Sequence, residues 1–207
     1  MYYKSVIRSI QYYKVNAVIK ALILSDFLIW SSYQLIAPIF AIFVTDRIQA
    51  SIEIVGITAA IYLVTRSIME IPVSIIIDKS KSERDDLFTA LVGTLIAAGV
   101  YISYIFITEV WQLYMLQVIL GLGAGLAFPG WSALFTHHID RKAAGFEWSL
   151  YDVTLGIGMA ATAALGGFIA DKFGFNTLFF IVGAFVACGS LILLAIRHKI
   201  IDDKPKK

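Results

Sequence analysis

The chain has 207 residues, of which 59% are hydrophobic and 15% are charged, and its mean hydropathy is +0.80. Soluble domains carry about 25% charged residues, so this chain has too few polar side chains to cover a water-soluble globule. Disorder is excluded as well, because disordered chains combine low hydrophobicity with high net charge. The net charge of +2 gives no indication of nucleic-acid binding. The single cysteine, Cys188, excludes an intrachain disulfide and a cysteine-based metal cluster, and its apolar neighbours predict that it is buried.

Six apolar segments follow one another along the chain, each close to the 20 or so residues that cross about 30 Å of hydrocarbon as a helix. The first is not a secretory signal, because it is too long and carries Asp26 and Gln34. Short connections predict antiparallel neighbours that pack as one bundle in the lipid bilayer. The sequence therefore predicts an all-α membrane domain over 21–197. Its six predicted spans are 21–45, 53–77, 87–107, 111–136, 148–170 and 177–197.

Lysine and arginine are distributed unevenly over the two sides of this bundle. Fourteen of them fall in the N-terminal segment, the second and fourth connections and the C-terminal end from Arg197 onward, against Arg47 and Lys172 on the other side. Because cytoplasmic loops carry the positive excess, we predict that both termini are cytoplasmic and that the protein lies in the cell membrane. Residues 1–20 form a basic segment, interpreted either as a short helix on the inner leaflet or as an unstructured tail. Residues 198–207 form a basic tail.

Two short patterns recur at nearly the same offset, which indicates a duplication. The stretch Pro38–Thr45 is similar to Pro129–Thr136, and residues 77–79 are similar to residues 170–172. A unit with an odd number of spans ends on the opposite side of the membrane from where it begins. The two three-span copies therefore have opposite orientations in the membrane, as in many transporters. The predicted repeats are about 21–107 and about 111–197.

Charged pairs and glycines near these repeats carry a family signature. Asp78-Lys79 follows span two, Asp171-Lys172 lies within Gly167–Gly174 after span five, and span four contains three glycines in residues 121–125. With these motifs the sequence resembles one half of a major facilitator superfamily transporter, whose signature after its second helix places Asp and a basic residue between glycines. The flanking glycines are absent around Asp78, and Gln117 stands where proton-coupled members typically have arginine.

The resemblance implies an assembly of twelve spans in two halves related by an axis along the membrane normal. Since this chain has six predicted spans, we expect a second copy to pair with it in parallel as a homodimeric half-transporter. The alternatives are a fragment of a longer chain or a subunit that needs a different partner. In the family, spans one and four line the cavity and spans two and five meet the other half. Spans three and six carry no charge apart from Arg197 at the very end of span six, and they are expected to face lipid.

A stripe of polar side chains is predicted on span one. At about 100° per residue, Asp26, Trp30, Tyr33 and Ala37 share one helix face, with Gln34 at its edge. A lone carboxylate in a membrane costs roughly 2.5–3.5 kcal/mol on insertion scales, so Asp26 should face a partner or water. We interpret the stripe as part of a substrate or proton site. The alternative is a structural hydrogen bond or a side chain that reaches back to the interface.

Spans two and four add candidates for the solute or ion path. Tyr62, Arg66 and Glu70 share a face of span two, and Arg66 can pair with Glu70 four residues later. Either charge is also available to face Asp26 or an anionic solute, while a purely structural pair at the dimer seam is the alternative. Gln117 on span four can bind a solute, although interhelical hydrogen bonding is the commoner use of glutamine in membranes.

Two further groups of candidates concern gating and helix packing. Asp152 is predicted to open span five, where a carboxylate favours the positive end of the helix, and Asp78 is expected to cap a helix of the partner copy, as its counterpart does in the family. The gating candidates are Asp78, Lys79, Asp152, Asp171 and Lys172. The candidates for close packing or kinks are Pro38, Gly121, Gly125, Pro129, Gly158 and Gly167.

The leading hypothesis is a secondary-transporter half that moves a small solute by alternating access. It requires no cofactor and is not an enzyme. The alternative is a non-transporting membrane scaffold or accessory subunit with the same fold. A metalloenzyme built on His137 and His138 is disfavoured, because these residues form one cluster at a helix end and a metal enzyme needs ligands from other helices. No metal site is predicted.

Overall fold

The computed structural model describes residues 14–80, 82–197 and 200. Within these ranges the regular structure is entirely helical, and five helices are long and apolar enough to cross a membrane, which confirms the predicted all-α membrane domain. The predictions for residues 1–13 and for most of 198–207 lie outside the described residues. The long helices are α1 (Ala17–Ile36), α2 (Ile52–Ser80), α3 (Glu83–Ser103), α4 (Val110–His138) and α5 (Ala144–Ala195).

The first span is regular in its first half and irregular in its second. Asn16 caps α1, because its side-chain oxygen accepts a hydrogen bond of 2.9 Å from the Val18 amide. At Pro38 the chain changes to a short 3₁₀ turn, since proline has no amide hydrogen to donate within a helix. A π-helical turn over Phe43–Arg47 follows, and the apolar span as a whole runs over Ala17–Arg47.

Helices α2 and α3 are separated by two residues only. Asp78 and Lys79 therefore belong to the last turn of α2, and their predicted position in the connection is wrong. The helix continues past them to Ser80, and its last turn contains no glycine or proline that would end it earlier. Acidic side chains in the first turn of α3 favour the positive end of that helix.

The last helix, α5, has 52 residues. At about 1.5 Å per residue it would be roughly 78 Å long if straight, more than twice the thickness of hydrocarbon. Gly174 interrupts it with φ 79° and ψ 164°, a left-handed conformation that favours glycine. The break separates a first arm (144–173) from a second arm (175–195), and it falls between the predicted spans five and six.

The start of α5 differs from the prediction. Asp152 is exposed and lies two turns into the helix, so it does not open it. The acidic residue of the first turn is Glu147, which is buried and accepts a hydrogen bond of 3.0 Å from the Asp140 amide. The helix-end interaction falls off after the first turn, so Glu147, and not Asp152, benefits from it.

Helix α1 packs against both arms of α5. In the first arm of α5, Gly158 lies against Phe27 and Ser31 of α1. About two turns later in the same arm, Gly166 lies against the backbone of Leu35 of α1. On the second arm Gly189 meets α1 at Ser25, whose hydroxyl donates to the Gly189 carbonyl at 2.8 Å. The prediction of packing at Gly167 is wrong: a side chain there would meet open space, because one residue along a helix turns the side chain by about 100°.

Helix α4 packs against α2 and α3. Gly121 and Gly125 lie against residues 62–69 of α2, while Gly123 faces Gly93 of α3 at backbone-to-backbone distance. Small residues at these positions allow the helices to approach closely. Pro129 is buried inside α4, and the helix continues past it to His138.

Helix α3 completes the bundle by packing against the second arm of α5. Gly183 lies against Ala98, and the Ser190 hydroxyl donates to the Thr94 hydroxyl at 2.9 Å. The expectation that spans three and six face lipid is therefore too broad, because one side of span three packs against one side of span six. Cys188 on the second arm is exposed, which corrects its predicted burial.

Helix α2 is the least covered element of the bundle. Of its 29 residues, three are buried, namely Thr58, Val73 and Ile77. Large apolar side chains such as Ile68 and Ile71 are more than two-thirds exposed. Its main neighbour is α4, so most of its surface is apolar and uncovered.

Candidate functional site

A cavity of about 510 Å³ lies between α1, α2, α3 and α4. Most of its lining is apolar or aromatic, which is typical of sites for organic ligands. Five of the seven residues predicted for the solute or ion path line it, and Gln34 and Glu70 do not. The five lining candidates are Asp26, Tyr33, Tyr62, Arg66 and Gln117.

Asp26 lies at one end of this cavity and is 8% exposed. It belongs to the predicted stripe, all four members of which line the cavity. The Tyr151 hydroxyl, on the first arm of α5, donates a hydrogen bond of 2.9 Å to its Oδ2 atom. Within residues 14–80, 82–197 and 200, no Lys, Arg or His nitrogen lies within 4.0 Å of the carboxylate. The carboxylate is thus held by a neutral donor from another helix.

Arg66 and Glu70 form a second charged centre on α2. The Arg66 Nε atom lies 3.3 Å from Glu70 Oε2, and both side chains are about one quarter exposed. The Arg66 guanidinium carbon also lies 5.1 Å from the centre of the Phe128 ring, within the range of a cation–π interaction. The two predicted partners therefore pair with each other, and Arg66 does not pair with Asp26.

Gln117 joins two helices while it lines the cavity. Its Nε2 atom donates to the Tyr104 hydroxyl at 2.7 Å, and both residues are buried. Tyr104 directly follows α3 and packs among Phe40, Phe43 and Phe179. This aromatic cluster lies at the opposite end of the cavity from Asp26.

The sequence predictions missed Tyr151 and Trp131. The Trp131 ring lies 5.1 Å from the Tyr151 ring, and both residues line the cavity beside Asp26. Trp131 could have been found, since Gln117, Ala124, Phe128 and Trp131 follow one another at steps of seven, four and three residues, which is the spacing of one helix face. Tyr151 could not, because its contact with Asp26 joins residues 125 positions apart.

The gating candidates and the histidines lie away from the cavity. All five gating candidates are exposed, and Lys172 Nζ lies 3.5 Å from Asp171 Oδ2 near the break in α5. His137 Nδ1 lies 3.7 Å from Asp86, and His138 Nε2 lies 3.6 Å from Glu83. In the part of the chain that the structure describes, no three His, Cys, Asp or Glu side chains are grouped to hold a metal ion.

A helical membrane bundle around a cavity with few charged groups is typical of membrane transporters. Residues 22–207 match the family model of the Major Facilitator Superfamily. The chain therefore belongs to this superfamily.

Two curated relatives show how much of a family member is present. The uncharacterized MFS-type transporter YuxJ of Bacillus subtilis is 32% identical over 117 residues, which cover 56% of this chain and 29% of YuxJ. The multi-drug resistance efflux pump PmrA of Streptococcus pneumoniae is 23% identical over 172 residues, which cover 82% of this chain and 42% of PmrA. The chain thus spans less than half the length of these relatives.

A solved structure supports the fold independently. The crystal structure of the POT family transporter PepTSo matches 94% of this chain and 40% of the PepTSo chain with a TM-score of 0.70. The sequences are 18% identical, so this likeness concerns the arrangement of the helices.

Proposed function

We propose that this chain is one half of a secondary transporter that carries a small organic solute across the cell membrane by alternating access. The observation that carries the proposal is the cavity of about 510 Å³ with Asp26 and Arg66 in its lining. Ionisable groups inside membrane spans are costly and mark solute or ion paths. Membership of the superfamily supports the same function.

The proposed architecture is six spans in two inverted repeats. The break at Gly174 divides α5 into two arms, each long enough to cross the hydrocarbon. Span one packs on spans five and six, span four packs on spans two and three, and spans three and six pack on each other. Exchanging one with four, two with five and three with six leaves this set of contacts unchanged, which supports the repeat. We propose the domain limits 21–107 and 111–197 for it.

Both termini are proposed to be cytoplasmic, on the strength of the lysine and arginine distribution. In this orientation the Asp26 end of the cavity is nearer the cytoplasm, and the end around Tyr104 is nearer the outside. The exposed charges Asp78 and Lys79, at the cytoplasmic end of α2, are then proposed to contact the other half of the transporter.

That other half is proposed to be a second copy. Helix α2 leaves its apolar surface uncovered next to the cavity, so the cavity wall is incomplete between α1 and α2. The chain covers 42% of PmrA, which is consistent with one half of such an assembly. In detergent, we expect a particle of twice the 22.9 kDa chain mass; a monomer at all concentrations would contradict the pairing.

Efflux of apolar organic compounds is the direction that the relatives favour, since PmrA is a multi-drug resistance efflux pump. The apolar and aromatic lining of the cavity suits such compounds.

Solute counterflow in proteoliposomes tests the proposed function without knowledge of a coupling ion. Vesicles are preloaded with unlabelled chloramphenicol or ethidium, and uptake of the labelled compound is followed. We expect transient accumulation of at least one compound with the protein and none in protein-free vesicles. Ala124→Trp fills the cavity and should abolish counterflow, whereas Leu122→Trp on the outer face of the same helix should retain it. Equal counterflow by the two variants, or none by the unaltered protein, would contradict the function.

A further inference from the structure

We propose that the solute of this cavity is an organic cation with an apolar body, that Asp26 is its counterion, and that aromatic rings beside Asp26 form the walls of the cation site. The inference rests on the proposed function, because it names the class of solute that the proposed transporter carries. It depends on the balance of charge in the cavity, on the donors around Asp26 and on the composition of the walls.

The balance of charge in the cavity favours a cation. Asp26 and Arg66 are the two side chains in the described lining whose ordinary acid–base chemistry gives a carboxylate and a guanidinium. Arg66 is already neutralised, since Glu70 lies 3.3 Å from it and Phe128 faces its guanidinium. Asp26 has no cationic group within 4.0 Å among the residues that the structure describes. The Asp26 carboxyl group is therefore the acidic group of the cavity for which these residues provide no counterion.

The donors around Asp26 hold its carboxylate without neutralising it. Tyr151 donates a hydrogen bond of 2.9 Å, and Trp30 is a second hydrogen-bonding neighbour. Both side chains are neutral donors, so neither supplies a positive charge to the carboxyl group. A carboxylate has about four lone-pair sites, and two donors leave room for a positively charged group of a solute. The site is thus pre-oriented for a cation.

The walls next to Asp26 are aromatic. Nine of the 27 lining residues are Trp, Tyr or Phe. Of these, Trp30 is a hydrogen-bonding neighbour of Asp26, and Trp131 packs on Tyr151, which donates to Asp26. Ring faces attract cations in desolvated sites, and the contact of Arg66 with Phe128 shows that this cavity already uses the interaction. The cavity volume of about 510 Å³ lies within the roughly 300–1,000 Å³ of sites for drug-sized ligands. A drug-sized cation with aromatic substituents fits the missing counterion of Asp26, the aromatic walls and the volume of the cavity.

Two ions of the same shape and opposite charge test this inference. Binding of tetraphenylphosphonium and of tetraphenylborate is measured separately by calorimetry, with the protein in lipid nanodiscs and with empty nanodiscs as the blank. We expect saturable binding of the phosphonium and no saturable binding of the borate above the blank. Asp26→Asn should weaken phosphonium binding about tenfold or more, because its amide keeps the shape of the side chain and removes the charge.

Controls keep the result interpretable if a variant folds poorly. Asp26→Asn should elute and unfold like the unaltered protein, and Asp26→Glu, which restores the charge, should keep the preference for the phosphonium. Unchanged phosphonium binding by Asp26→Asn would overturn the inference. Equal binding of the borate would overturn it as well, since it would show that shape and not charge is recognised.

The outcome is separable from that of the proposed function. Binding of the phosphonium that depends on Asp26, without any counterflow in vesicles, would support the cation site and contradict transport. Counterflow of chloramphenicol together with charge-independent binding would support transport and contradict the cation site.

Discussion

Two charged centres, one on α1 and one on α2, each contribute a side chain to the cavity lining, and they differ in their partners. On α2, Arg66 and Glu70 are one helical turn apart and pair with each other. On α1, Asp26 is held by Tyr151 from a different helix and has a neutral partner. An ion pair within one helix persists when helices move as rigid bodies, whereas a hydrogen bond between two helices breaks when they separate. The comparison leads us to propose a structural role for the Arg66–Glu70 pair and a solute-binding role for Asp26.

The largest expected effect comes from breaking the pair on α2. Glu70→Leu leaves Arg66 without a counterion, and we expect a loss of about 2–4 kcal/mol in the free energy of unfolding, near or somewhat below the cost of breaking a fully buried pair. Denaturant titration in detergent micelles measures it.

The matched control is the double variant Arg66→Leu with Glu70→Leu. Because it removes both charges, it should lie within about 1 kcal/mol of the unaltered protein. Additive losses from the two single variants would show that Arg66 and Glu70 do not depend on each other, and the comparison would then fail at this centre.

An intermediate effect is expected where Asp26 is held. Tyr151→Phe removes the donor while keeping the ring that packs on Trp131. Interhelical hydrogen bonds in membranes contribute roughly 0.6 kcal/mol on average and up to about 1.7 kcal/mol, so we expect a loss of about 1 kcal/mol in the same titration. A loss as large as that of Glu70→Leu would mean that Tyr151 supports more than the orientation of Asp26.

The smallest effect on stability is expected at Asp26 itself. Asp26→Asn removes a charge that has no ionic partner, and its amide oxygen still accepts from Tyr151. Stability should stay within about 0.5 kcal/mol or increase, since burying a neutral amide costs less than burying a charge. A loss of about 2 kcal/mol or more would reveal a cationic partner and would remove the contrast between the two centres.

Local patterns predicted much of the fold and part of the site. Continuous apolar segments have one stable solution in lipid, a helix whose backbone groups are satisfied internally, and the all-helical bundle follows. Helical periodicity also placed Asp26 and Tyr33 correctly on one lining face, and the spacing of Arg66 and Glu70 correctly predicted their contact.

Other features depend on contacts between helices, which periodicity does not contain. Tyr151 approaches Asp26 because Gly158 and Gly166 let α1 and α5 pack closely. The choice of Gly166 over Gly167 depends on the rotation of α5 about its own axis, which is set by its neighbours. The sequence also misplaced two helix ends. Helix α2 continues past Asp78, and α5 begins eight residues before Asp152, and neither aspartate is next to a glycine or proline that would mark a helix end.

In the proposed transport cycle, the cavity opens alternately to the two sides of the membrane. Cysteine labelling tests it directly, because Cys188 is the single cysteine and can be replaced by serine. In that background, Ala124→Cys in the cavity lining is exposed to a membrane-impermeant maleimide in right-side-out and in inverted vesicles, with Leu122→Cys on the outer face as the control. The account predicts that Ala124→Cys reacts from both sides and that Leu122→Cys reacts from neither. Reaction of Ala124→Cys from one side only, or from neither side, would contradict it.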